Sequence, residues 1–224
     1  MGLFDLFKKG KSVEYLKKED VLKINDLELL RKIRFDNRYE DVRQLAAFKI
    51  ENIEAIEEQK NIDSLFVLAK EGKYEEYINT LKKVNLYNQI DSVSCLEDET
   101  WLQKIAMDKF DCDVIGVAIM QIQDVNFLMK IIALNKWNSS EIGNVGILRL
   151  VDFEITEKIR IFLEDIKDND AYESGIRRIA KVMLKNQQLV RDVKSKYTQF
   201  ATVPKKWAYN VAMNQEIICF PISN

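Results

Sequence analysis

One phrase recurs along this chain at nearly constant spacing, and that recurrence limits the fold more than composition does. It consists of an apolar residue, an Asp or Asn two positions later, and further apolar residues six and nine positions after the first. Leu96, Asp98, Leu102 and Ile105 spell it once, and Ile122, Asp124, Leu128 and Ile131 spell it again 26 residues on. Leu150, Asp152, Thr156 and Ile159 repeat it after a further 28, with Thr156 the one departure. Looser copies stand at Ile24, Asp26, Leu30 and Ile33, at Ile50, Asn52 and Ile56 with Gln59 off the pattern, and at Leu184, Asn186, Val190 and Val193. Self-similarity at a step of about 20–50 residues marks stacked repeats, because one unit cannot bury its apolar face alone and a row of units can.

A second apolar row lies eight and four positions upstream of four copies: Val42 and Ala46, Val114 and Ala118, Ile142 and Gly146, Ile176 and Ala180. A spacing of four keeps two side chains on one helical face. Each unit therefore reads as a first helix ending near the leading apolar residue, a tight turn, and a second helix opening at the Asx. That Asx has a physical task, since its side-chain oxygen accepts from a free backbone N–H in the first helical turn and contributes about 1 kcal/mol. The helix caps expected on this basis are Asp26, Asn52, Asp98, Asp124, Asp152 and Asn186.

The run Asp41-Val42-Arg43-Gln44-Leu45-Ala46-Ala47-Phe48-Lys49-Ile50, followed by Asn52 and Ile56, resembles a HEAT-type repeat. The stretches LQKIAMDKFDCDVIGVAIMQIQD and IGNVGILRLVD resemble it too; the Val-Arg pair of the family's first helix is kept at Val42-Arg43 alone. The resemblance covers roughly residues 20–195 and matches poorly over 60–95. It implies an all-α fold, a right-handed α-solenoid of about six stacked antiparallel helix pairs, used to bind partners and carrying no catalytic residue. The expected organisation is an amphipathic N-terminal segment over 1–11, a HEAT-like solenoid over 12–200 with a divergent pair at 60–95 split at Gly72, and a C-terminal capping segment over 201–224.

Composition agrees with long helices and short turns: only two Pro and seven Gly punctuate 224 residues, of which 47% are hydrophobic. There is no histidine, which removes Ser-His and Cys-His nucleophile activation, histidine metal sites and a histidine pH switch. The three cysteines, Cys95, Cys112 and Cys219, form no close pair, and a reducing, cytoplasmic setting is the reading they suggest. The most apolar window, 114–134, contains Gln121, Gln123, Asp124, Asn126 and Lys130, so it reads as a buried helix pair and not as a membrane span.

Carboxylate clusters at Asp108, Asp111 and Asp113 and at Asp165, Asp168 and Asp170 fall between helices and lack the glycine and bidentate Glu of a calcium loop. They read as turn and cap residues, so neither a metal nor a cofactor is expected. Gly143 and Gly146 lack the strand and Lys of a phosphate loop and read as sites of close helix packing.

Charge is uneven. Residues 1–50 hold 12 basic and 9 acidic side chains, 51–174 hold 13 and 25, and 175–210 hold 9 and 1. The candidate contacts for a partner or a phosphate are Arg177, Arg178, Lys181, Lys185, Arg191, Lys194, Lys205, Lys206 and Trp207, interleaved with Tyr197, Phe200 and Tyr209. Basic residues beside aromatics are the combination that grips nucleic acid; the plainer reading is a patch that neutralises the acidic middle of the same molecule. The leading expectation is a non-enzymatic protein-interaction or scaffold module. The alternative is a nucleic-acid binder resembling the helical-repeat DNA glycosylases, with Trp101, Trp137 and Trp207 in play.

Overall fold

The computed structural model describes residues 12–135 and 140–198, together with 211, 214 and 217. The expected N-terminal amphipathic segment, most of the C-terminal capping segment, Trp137, and Lys205, Lys206 and Trp207 lie outside the described residues. Every regular element among the described residues is helical. After a 3-10 turn at Val13–Tyr15 come α1 (Lys18–Val21), α2 (Leu27–Asp36), α3 (Glu40–Glu71), α4 (Tyr74–Leu81) and α5 (Leu86–Ser94). They are followed by α6 (Glu99–Met107), α7 (Cys112–Gln121), α8 (Val125–Leu134), α9 (Ser140–Leu150), α10 (Glu157–Lys167) and α11 (Ser174–Thr198). The chain divides into two compact units, 1–85 and 86–224. Among the described residues no helix is long and apolar enough to cross a membrane.

In the first unit α2 packs on α3, and the core gathers Leu16, Val21, Ile24, Leu29, Leu30 and Ile33 with Val42, Ala46 and Ile50 of α3. Asp26 caps α2 by accepting from the Leu29 N–H at 3.0 Å. The copy at Ile50 departs from expectation. Asn52 caps nothing, because α3 runs unbroken from Glu40 to Glu71, and Ile56 is 57% exposed instead of buried. The reason is local: the residues from Glu51 to Glu71 contain no Gly or Pro and are rich in Glu, Lys, Gln, Ala and Leu, so nothing stops a helix already under way. Three expected helices are one, and between Ile50 and Leu65 no side chain of this helix is fully buried, although Ile53 packs partly against the core. It ends where expected, at Gly72 in the left-handed region (φ 70°), with the Lys73 N–H bonded to the Leu68 carbonyl in a Schellman closure. Leu65 is then buried, as are Tyr77, Ile78 and Leu81 of α4, which packs on α3.

The second unit is more regular. α7 packs against α5 on one side and α9 on the other, and α9 packs in turn against α11. α6 leans on α7, α8 on α9, and α10 on α11. The leading helices of successive pairs therefore form a row, and each second helix supports the leading helix of the next pair. The phrase residues Leu102, Ile105, Ile122, Leu128, Ile131, Leu150, Ile159, Val190 and Val193 are all buried. Asp98 caps α6 through the Trp101 N–H at 3.0 Å, and Asp124 caps α8 through Asn126 at 2.8 Å and Phe127 at 3.2 Å. Asn186 leaves helical geometry (φ −153°, ψ 77°), breaks α11 into two arms, and accepts from the Leu189 N–H at 3.1 Å.

Asp152 is the second departure. It caps no helix, because the Val151–Ile155 turn delays α10 until Glu157 and Thr156 supplies the cap, accepting from the Ile159 N–H at 3.4 Å. The Asp152 carboxylate is engaged elsewhere, as described below.

Gly143 and Gly146 lie in α9 where it meets its neighbours. A Cβ on Gly143 would stand 2.6 Å from the Ile176 Cδ1 and 3.1 Å from the Asn135 carbonyl oxygen, and one on Gly146 would stand 2.9 Å from the Ile132 Cγ1. Their hydrogens admit the adjacent helices.

The two fates of the Asx residues give opposite signs on truncation. Asp124→Ala removes a cap and should lower stability by about 1 kcal/mol. Asn52→Ala, inside an exposed helix, should raise it by about 0.5 kcal/mol through helix propensity. Urea unfolding of both variants checks this, and a destabilising Asn52→Ala would contradict an unbroken α3.

Candidate functional site

The basic side chains of α11 lie where the sequence suggested a partner surface, and the structure turns most of them inward. Arg177 pairs with Asp170, and Lys181 with Asp168 at 3.2 Å. Arg178 and Lys185 also have interaction partners. Arg191 donates from Nε to the Val151 carbonyl at 2.9 Å and from Nη2 to the Phe153 carbonyl at 3.1 Å. Lys194 is buried, 7% exposed, and its ammonium donates to the Leu148 carbonyl at 3.0 Å and to both Asp152 carboxylate oxygens at 2.6 Å. As candidate contacts for a partner, Arg191 and Lys194 are therefore corrected: their polar heads are committed to the turn after α9.

The chemistry of that turn explains the commitment. The last carbonyls of a helix have no partner within it, and here Leu148, Val151 and Phe153 present theirs to the second arm of α11. Gln187 adds two more donations from its Nε2, to Val151 at 2.8 Å and Phe153 at 2.6 Å. Arg149 completes the cluster, with Nη1 on Asp152 at 2.9 Å and its guanidinium 4.9 Å from the Phe153 ring centre. Burial pushes the Lys194 ammonium below the usual lysine range, the Asp152 carboxylate opposes that shift, and the nearby Arg149 and Arg191 charges reinforce it.

Weaker versions of the same device recur. Gln121 donates to the Val93 carbonyl at 2.9 Å, and Arg149 Nε to the Ile122 carbonyl at 3.0 Å. Lys49 donates to the Val21 and Leu22 carbonyls at 3.2 and 2.8 Å. Lys49, Gln121 and Arg149 each stand one residue before the leading apolar position of their copy of the phrase, and each reaches back 27 or 28 residues. Glu99 works in the opposite polarity, accepting from the Gln123 and Asp124 N–H groups at 2.9 and 2.5 Å. These residues escaped the sequence reading; a polar side chain recurring just before an apolar one was the signal available.

In the carboxylate clusters Asp165 lies inside α10 and not between helices as expected, and the other members make local contacts. Asp111 accepts from the Asp113 N–H at 2.9 Å and Asp108 from Lys109 at 2.7 Å, while Asp168 and Asp170 hold Lys181 and Arg177. No group of three candidate metal ligands exists among the described residues. Trp101 is buried at the start of α6. Two open grooves lie beside α3 in the first unit, of about 580 Å³ next to α4 and about 370 Å³ around Glu54, Glu57, Glu58 and Lys83.

Among the described residues the second unit exposes Leu86 and Tyr87 at the start of α5 and one large apolar side chain on each of α6, α8 and α10. Met107 ends α6, Leu134 ends α8 and Ile161 is the fifth residue of α10, eleven, twelve and eleven residues after the leading apolar residue of their copies. They are 50%, 59% and 63% exposed. Side chains join the three helices: Gln103 of α6 donates to Asp124 at the start of α8, and Lys158 of α10 to Asn126 of α8. Comparison with protein-family models, with curated proteins and with solved structures finds no match.

Asp152→Asn isolates the contribution of the buried charge. It should destabilise by about 1–3 kcal/mol near neutral pH, because the Lys194 ammonium stays buried without its counter-charge. The deficit should shrink as pH rises towards the ordinary lysine value of about 10.4. Without Asp152 the folded-state pKa of Lys194 falls further, the unfolded chain binds more protons than the native one in that window, and stability climbs with pH there. Urea unfolding of parent and variant across that range reads the gap, and a gap independent of pH would contradict this account.

Proposed function

We propose that the chain is a non-enzymatic interaction module, a HEAT-like α-solenoid segment that docks a macromolecular partner on the second helices of its pairs. The observation that carries this reading is the exposure of Met107, Leu134 and Ile161. Single exposed apolar side chains are ordinary on protein surfaces. One on each of the second helices of three successive pairs, which the Gln103–Asp124 and Lys158–Asn126 hydrogen bonds link, is the pattern expected of an interaction surface on a repeat protein. Two further points support it. The absence of histidine removes the commonest general base and nucleophile activator. The basic residues of α11 that would have served a phosphate-binding groove are paired with Asp152, Asp168, Asp170 and helix-end carbonyls, which favours a protein partner over nucleic acid.

Site-specific photo-crosslinking tests the proposal. A benzophenone side chain placed at Leu134 or Ile161 in the native cell should give one dominant adduct, competed away by excess unlabelled protein, while the same group at the exposed Lys109 gives little. Equal, uncompeted labelling at all three positions would overturn the reading.

A further inference from the structure

The corner between α2 and α3 is tied together by one buried side chain. Asn37 is 2% exposed. Its Nδ2 donates to the Val13 carbonyl at 2.7 Å and the Leu16 carbonyl at 3.1 Å, and its Oδ1 accepts from the Tyr39 N–H at 2.9 Å. Its own carbonyl accepts from Arg43 Nη1 at 2.8 Å, and the Arg38 N–H donates to the Glu14 carbonyl at 3.0 Å. The 3-10 turn at Val13–Tyr15 is thereby pinned to the residues that end α2.

Around this buried knot large aromatic side chains are left outside. Tyr15 is 53% exposed, Phe35 77% and Tyr39 47%. The core does not use them, since α2 buries Leu29, Leu30 and Ile33. Guanidiniums accompany two of the rings: Arg38 lies 5.9 Å from the Tyr15 ring centre and Arg34 5.8 Å from that of Phe35. The ion pairs near the corner are Lys18 with Asp41, Arg43 with Glu40, and Arg31 with Glu28 and Glu54; Arg34 and Arg38 belong to none of them. Residues 1–18 and 31–39 hold 9 basic side chains against 3 acidic ones, Asp5, Glu14 and Asp36. With Lys18 and Arg31 set aside as paired, the net charge is +4. The sequence that leads into the corner has the same character, Leu3, Phe4, Leu6 and Phe7 followed by Lys8, Lys9 and Lys11, and only Ser12 to Glu14 separate it from Tyr15.

We propose that this corner of the first unit rests on the surface of an anionic lipid bilayer, Tyr15, Phe35 and Tyr39 at the boundary of headgroups and acyl chains and Arg34 and Arg38 on lipid phosphates, with residues 1–11 adding to the same contact. Aromatic side chains with a polar tip favour places where one end is apolar and the other wet. Basic segments that carry Leu and Phe bind in the plane of the interface, through buried apolar area and attraction to anionic lipids. A guanidinium beside a ring suits that boundary, because its fork reaches phosphate oxygens while the ring stays in the apolar layer. Single-stranded nucleic acid is the competing polyanion. Its bases stack on open ring faces, whereas the Tyr15 and Phe35 rings already have a guanidinium over them, and aliphatic Leu3 and Leu6 suit acyl chains better than bases. This contact is separate from the docking surface proposed above, which belongs to the second unit.

Co-sedimentation of the full chain with vesicles tests it. Phosphatidylcholine vesicles with about 30% phosphatidylserine should carry the protein down, less so as salt rises, and vesicles of phosphatidylcholine alone should not. Arg34→Gln/Arg38→Gln should lower the partition coefficient about thirtyfold, from about 1 kcal/mol for each cation at an anionic surface. Phe35→Ser/Tyr39→Ser should lower it too, whereas Tyr87→Ser, at a ring that is also 77% exposed but in the second unit, should leave it unchanged. Circular dichroism verifies that the variants fold, as expected where the replaced corner side chains are exposed. No sedimentation with the anionic vesicles, equal sedimentation with both kinds, or a loss in Tyr87→Ser equal to that in Phe35→Ser/Tyr39→Ser would overturn the inference. A single-stranded oligonucleotide bound by the parent and not by Arg34→Gln/Arg38→Gln, with no sedimentation on vesicles, would assign the corner to nucleic acid instead. Sedimentation lost in Leu3→Ser/Phe7→Ser but undiminished in both corner variants would confine the contact to residues 1–11 and remove the corner from it.

Discussion

The second unit depends on how backbone groups are satisfied at its corners. A helical pair with a short turn leaves carbonyls at one helix end and N–H groups at the next helix start, and both lie close to the core, where an unpaired group costs about 1–3 kcal/mol. Asp98 and Asp124 satisfy N–H groups locally. The carbonyls are satisfied from the following pair, by Gln121 on Val93, Arg149 on Ile122, and the Gln187, Arg191 and Lys194 trio on the turn after α9. Each pair is therefore incomplete alone in two respects, an apolar face and a set of acceptors, and the next pair supplies both. Hydrophobic burial is tolerant of sliding, whereas a donor aimed at one carbonyl is not. The polar contacts thus set the register in which the apolar faces stack.

The corner after α9 shows what happens when the regular device is stretched. Asp152 occupies the Asx position of its copy, yet α10 starts too late for it to cap, and Thr156, the residue that looks like a flaw in the phrase, takes over. Asp152 is left without a helix to cap. Here it becomes the counter-charge that lets Lys194 be buried while serving the Leu148 carbonyl. The insertion in the turn, the displaced cap and the buried lysine are linked parts of one local solution.

Which residues are buried and where helices begin could be read from the sequence wherever the signal was short-range. The spacing of Leu102, Ile105, Leu128 and Ile131 dictates a buried stripe, and the Asx at Asp26, Asp98, Asp124 and Asn186 sits where the chain must turn. The copy at Ile50 has the same letters and a different outcome, because spacing states which side chains share a face and not whether a helix stops. Stopping needs a breaker, and Gly72 is the first one that α3 meets. The side chains that donate to these carbonyls were hidden for another reason: Lys49, Gln121 and Arg149 differ in charge and size and have in common only the ability to donate a hydrogen bond.

The basic charge of α11 is spent largely within the molecule. The segment with the largest basic excess, 175–210, spends Arg177, Lys181, Arg191 and Lys194 on acids and carbonyls of the preceding pair, so the residues that look like a nucleic-acid patch in one dimension neutralise the acidic middle in three.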